Sequence, residues 1–208
     1  MAKNKTIAVL TVLVGAAIVV ALMRFNMSNY FGEHYILVNT IGLLWVPMIF
    51  IFLIARDDPS RFGFSMSSGK AWFPTLLLFA GVMVFLVPAS RMDVFQMRYP
   101  LDPMAMRSPQ DFLFAEVKWG LYFFCWEFFF RGFLLFGLHR AIGWPAVIVQ
   151  ALAFGVMHYG KPTPEFIVSF PAGIILGLLA LRSRSFFPCF LLHWASAVTF
   201  DVLVIWAR

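Results

Sequence analysis

Seven long apolar runs divide the chain, at approximately 6–23, 35–55, 71–90, 119–138, 141–158, 166–181 and 187–206, with segments rich in Arg, Asp, Pro, Gly and Ser between them. The hydrocarbon core of a bilayer is about 30 Å thick and a helical residue rises about 1.5 Å, so roughly 20 apolar residues make one crossing. Runs of this length predict an all-α fold: a polytopic transmembrane helical bundle of about seven spans, organised as one integral membrane domain over residues 1–208. Composition agrees, with 62% of the 208 residues hydrophobic and 12% charged. A water-facing surface needs about twice that charge. Soluble enzymes, disordered chains, coiled coils and disulfide-rich secreted modules are thereby excluded. The first run follows Lys3 and Lys5 as a signal peptide would, but its apolar stretch continues from Ile7 to Met23 with no clean small-residue cleavage site, and it is read as a retained anchor helix.

The net charge of +6 and pI near 9.7 do not indicate nucleic acid, because the cations are scattered and lie mostly at the ends of apolar runs. There they anchor to anionic headgroups and set orientation. Counted by side, eight cations lie with the N-terminus and seven opposite, a balance that favours a cytoplasmic N-terminus through the short loops. The segment from Arg91 to Lys118 is the longest interruption and mixes charged residues with Val94, Phe95, Phe112 and Phe114. It reads either as amphipathic pieces in the headgroup plane or as a plain surface loop. Cys125 and Cys189 lie inside apolar stretches with no metal or redox spacing and are read as small buried hydrophobes. The run Phe128 to Phe130 is read as lipid-facing packing surface, and His139 beside Arg140 as interfacial.

Ionisable groups inside spans carry the functional information, since each costs on the order of 3 kcal/mol at the centre of a bilayer unless it meets a partner or water. They concentrate in the C-terminal half. Span four contains Glu127 and Arg131 in WEFFFRG, span five ends FGVMH at His158, and span seven holds His193 and Asp201 in HWASAVTFD. Glu127 and Arg131 are four residues apart and share a helix face. They form either a salt bridge that makes both burials tolerable, or a unit in which Arg131 holds Glu127 or a substrate carbonyl while the carboxylate activates water. Two imidazoles and one carboxylate with an open position make a common catalytic zinc set, so Glu127, His158 and His193 are candidate zinc ligands drawn from three helices. Asp201 is a candidate third ligand or a support for the others. Gly173 and Gly177 in GIILG allow close helix approach and would bring span six against the histidine-bearing helices.

The three motifs in this order resemble those of the CPBP intramembrane proteases, the group that contains the type II CAAX endopeptidases together with bacteriocin-processing and immunity proteins. That family shows EExxxR on one span, FxxxH on the next and HxxxN on a later one. Here Trp126 to Arg131 stand at the first, Phe154 to His158 match the second and His193 opens the third, so the family-like catalytic core covers about residues 119–201. The resemblance implies a membrane endopeptidase of a prokaryotic cytoplasmic membrane that hydrolyses a peptide bond of a membrane-associated peptide or protein substrate within the lipid bilayer. Glutamate- and histidine-activated water would do this, with or without zinc. No GxSG, GxGD or HExxH motif points to another protease class.

Two positions depart from the pattern. The first glutamate of the family pair, usually given the water-activating role, is Trp126, and the asparagine of the third motif is Ala197. One reconciliation moves the base role to Glu127 and lets Ser196 or Asp201 supply the lost polar group. The other makes the chain an inactive family member serving as a membrane scaffold or immunity protein. A small-solute transporter is the remaining reading of polar groups in spans.

Overall fold

A computed structural model describes residues 2–28, 34–67 and 69–208; residues 29–33, Met1, Ser68 and the side chains of Ala2 and Lys70 lie outside it. Every regular element among the described residues is helical. Seven longer helices carry the architecture: α1 (Ala2–Ser28), α2 (Tyr35–Ala55), α3 (Trp72–Ala89), α4 (Pro109–Ile142), α5 (Pro145–Val156), α6 (Thr163–Ser183) and α7 (Phe187–Ala207). Six of them are long and apolar enough to cross a membrane, and α5 is a shorter apolar helix. The chain is an integral, multi-pass membrane protein.

The expected spans hold with two adjustments. Span four begins ten residues before the predicted start, inside the segment read from sequence as an interruption. Its start has a local cause: Ser108 Oγ accepts the Asp111 amide at 3.1 Å, Pro109 occupies the first turn and Asp111 places a negative charge at the helix N-terminus. The resulting 34-residue helix is the central post of the bundle. Span five contracts instead to 12 residues, about 18 Å of rise, so the turn that follows it lies within the bundle. Gly160, at φ 87°, makes the reversal into α6.

Helices α1 and α2 run antiparallel, as do α4 and α7, whereas α2 runs parallel to α4, with Tyr35 beside Trp119 and Phe50 beside Phe133. Asn39 donates to Asn26 Oδ1 at 2.9 Å to join α2 to α1, Tyr35 packs on Trp119 and Tyr122 of α4, and Phe190 of α7 packs edge-on against Phe124 of α4. Pro47 lacks an amide hydrogen, and α2 passes through π-helical turns at Ile41–Trp45 and Phe50–Ala55 on either side of it. A third π-helical stretch, Phe128–Leu134, interrupts α4 immediately after Glu127.

The core is aromatic. Phe128, Phe129 and Phe130 are fully buried, which corrects the lipid-facing reading: they sit on the stretch 125–135 of the central helix, where every residue is covered by other elements. The 59–66 loop adds Phe62 and Phe64, the latter meeting Phe124, Phe128 and Phe186 at 5.5–6.0 Å between ring centroids. Cys125 and Cys189 are free and buried, as expected.

The GIILG stripe does what its spacing implies. A Cβ on Gly173 would stand 2.9 Å from Ala151 Cα and 3.3 Å from Phe154, and Gln150 of α5 donates to the Gly173 carbonyl at 2.8 Å. Because the obstacle is backbone, Gly173→Leu should destabilise the bundle by about 1–3 kcal/mol or more through overpacking. Thermal unfolding in detergent reads this directly, with Ile175→Leu on the half-exposed face of α6 as the neutral comparison.

At the membrane face bearing the 56–71 and 139–144 loops, Asp57 accepts from Arg140 at 2.5 Å and Arg61 at 3.2 Å, and Arg140 lies over the Phe62 ring. Partial burial pushes the Asp57 carboxyl up, but the Arg140 hydrogen bond and the two guanidinium charges outweigh it and hold the group below the usual carboxylate range. A carboxylate held low stabilises the fold above its unfolded value, near 3.9, and that contribution disappears as pH falls through the folded value. Asp57→Asn should therefore lower stability by about 1 kcal/mol at neutral pH and remove part of the loss of melting temperature on acidification. Melting curves at neutral and acidic pH check both.

Candidate active site

Three helices meet around Phe154. Its ring carries the Arg131 guanidinium at 3.9 Å, His158 at 4.5 Å, Trp126 at 5.9 Å and His193 at 6.1 Å. Glu127, His158 and His193, predicted on three separate spans, are thus brought to one place, on α4, at the end of α5 and on α7. Glu127 is the nineteenth of the 34 residues of α4, near the middle of the bundle.

Glu127 and Arg131 are both 0% exposed and form the expected ion pair. Arg131 Nη1 donates to Glu127 Oε1 at 3.3 Å, and Nε lies 3.2 Å from Oε2, within ion-pair range but not aligned as a hydrogen bond. The π-helical stretch begins at the residue after Glu127 and contains Arg131, a local helix geometry that recurs at functional sites.

The decisive contact is to α7. His193 Nδ1 stands 2.6 Å from Glu127 Oε1, and the imidazole also packs on Phe123 at 4.6 Å. A carboxylate can only accept, so Nδ1 carries the hydrogen and Nε2 presents its lone pair. The His193 side chain is 21% exposed where Glu127 is sealed. His158 is oriented in the same way, its Nδ1 donating to the Phe154 carbonyl at 2.8 Å, which again leaves Nε2 as the lone pair. It is 4% exposed and faces the edge of the Trp126 indole at 5.6 Å.

Asp201 is not brought to this group. It lies eight residues beyond His193 on α7, about 12 Å along the axis, buried with Glu116 as a charged neighbour. Ser196 donates to the Leu192 carbonyl at 2.7 Å. Ser196 is therefore engaged elsewhere. Glu116 was missed in the sequence because it fell within the segment read as an interruption. The Ser108-Pro109 start was the signal that would have put it inside α4.

A zinc ion needs three protein donors in an open catalytic site. The two Nε2 atoms suit one, but the Glu127 carboxylate is already shared between Arg131 and His193. Among the described residues no group of three His, Cys, Asp or Glu side chains is arranged to hold a metal ion. A carboxylate that accepts from Nδ1 instead orients an imidazole, so the chemistry that this arrangement supports is proton transfer at Nε2.

Residues 109–199 match the Rce1-like family of type II CAAX prenyl endopeptidases. This is the family to which the three motifs pointed, and the matched 91 of 208 residues contain Glu127, Arg131, His158 and His193. No curated protein and no solved structure matches the chain. The matched segment comprises α4, α5, α6 and most of α7, and so includes the three helices that carry the site. Asp201 lies just past it.

Proposed function

We propose that this protein is an intramembrane endopeptidase acting on a membrane-associated peptide or protein, with His193 as the residue that activates water. The observation that carries the reading is the His193 and Glu127 contact: an accessible imidazole held at 2.6 Å by a sealed carboxylate, which is itself held by Arg131. His193 is partly exposed and Glu127 is sealed. Nε2 takes a proton from the water as its oxygen adds to the scissile carbonyl carbon. Glu127 stabilises the resulting imidazolium, as the third member of a hydrolytic triad does. When the tetrahedral adduct collapses, the C–N bond breaks and Nε2 returns the proton to the leaving amine. Arg131, fully buried, positions Glu127 and does not touch substrate. His158 lines the opposite wall, with Nε2 able to accept a second proton. No step requires a bound metal.

The Rce1-like match supports a prenylated C-terminal tail as the substrate class, and the cytoplasmic membrane of a prokaryote is the proposed setting. The alternative of an inactive scaffold draws on Trp126, whose indole fills the space beside His158 where the resemblance would place a base. Purified protein in detergent, offered a prenylated peptide and followed by mass spectrometry of the products, separates the two. Cleavage by the wild type that is absent in a folded His193→Ala supports the peptidase. Equal product from both, or none from the wild type, overturns the assignment.

A further inference from the structure

From His193 toward the membrane face where α6 begins, a second charged group stands at a defined distance. Cys189 Sγ of α7 lies 3.2 Å from the Leu176 carbonyl of α6, and the two helices are antiparallel, so His193 is level with Ala172. Seven residues further along both helices, about 10 Å, Glu165 of α6 is level with Phe200 of α7. Tyr99 fixes the same level independently: its hydroxyl donates to Glu165 Oε2 at 2.7 Å while its ring packs on Phe200 at 5.0 Å. Lys161 completes the group. Its Nζ pairs with Glu165 Oε1 at 2.7 Å and its amide donates to the His158 carbonyl at 3.1 Å, so one tight turn carries both the imidazole at the site and this ammonium. The Lys161 and Glu165 side chains are 23% and 22% exposed, whereas Arg131 is sealed. An ion pair that water reaches is weak. Glu165 also has a second partner in Tyr99, so Lys161 can leave it without stranding the carboxylate.

We propose that Lys161 is the anchor for a free α-carboxylate at the end of the substrate. The proposal rests on the peptidase reading and narrows its substrate to a tail that ends about three residues beyond the scissile bond. Three extended residues span at most about 10–11 Å, which is the separation between the level of His193 and that of the Lys161–Glu165 pair. On binding, the ammonium passes from Glu165 to the carboxylate of the tail, and Glu165 stays on the Tyr99 hydroxyl. Lys161 is a specificity residue: it holds the end of the tail and takes no part in breaking the peptide bond. A charge-assisted contact at one end of the tail sets which bond lies against His193 at the other.

Detergent-purified full-length protein, given two prenylated peptides that differ only in a free acid or an amide at the C-terminus and followed by mass spectrometry of the products, tests this. The wild type should favour the acid over the amide by about 10-fold or more in kcat/KM, with the difference carried by KM. Lys161→Met should collapse that acid-to-amide ratio to unity, and Lys161→Arg should keep it. A lysine with a merely structural role would slow both peptides alike and leave the ratio intact. A ratio of unity in the wild type, or a ratio that survives Lys161→Met, overturns the anchor and leaves the peptidase reading standing. Cleavage of neither peptide by the wild type overturns the peptidase reading and the anchor with it. If Lys161→Met does not fold, Lys161→Gln removes the same charge.

Discussion

Arg131→Met should be among the most destabilising single substitutions in the bundle, at about 3–5 kcal/mol, because it leaves the sealed Glu127 carboxylate without its cation. The methionine fills much of the volume over Phe154, so the loss reports charge and not a cavity. Replacing both partners should be far milder. Glu127→Gln/Arg131→Met removes the desolvation cost of both charges and keeps a hydrogen bond to His193, so it should recover most of the lost stability. Melting curves in detergent for the two single variants and the double variant, read as a cycle, measure the coupling. A wild-type melting temperature for Arg131→Met would mean that the pair is not sealed as described.

His193→Ala should reduce peptide cleavage by at least about 100-fold, the usual contribution of a general acid–base residue. Since the site is open at His193 and closed at Glu127, added imidazole should restore part of the activity to His193→Ala. It should restore none to Glu127→Gln. That second variant keeps an acceptor for Nδ1 but loses the charge that stabilises imidazolium, and its kcat should fall by about 10³–10⁴-fold with KM little changed. Full cleavage by either folded variant would sink the assignment, and imidazole rescue of Glu127→Gln would move the base role from His193 to the carboxylate.

Much of the site was legible before any coordinates, for one physical reason. An ionisable group in a long apolar run is costly unless it has a partner, so Glu127, Arg131, His158 and His193 stood out from the cations at the run ends. Their meeting around Phe154 is the economy that the cost demands. The i, i+4 pairing of Glu127 and Arg131 and the close approach at Gly173 followed from helical spacing alone.

What spacing does not contain is the rotation of one helix against another. The π-helical stretch after Glu127 and the early start of α4 at Pro109 determine which faces of α4 meet α7. These decide that His193 binds Glu127, that Asp201 lies beside Glu116 instead of the histidines, and that the Phe128 to Phe130 run faces the core. Spans and the cast of polar residues belong to the sequence, because lipid penalises each residue one at a time. The pairings belong to the tertiary structure, because a buried charge is stabilised only by the group that packing places beside it.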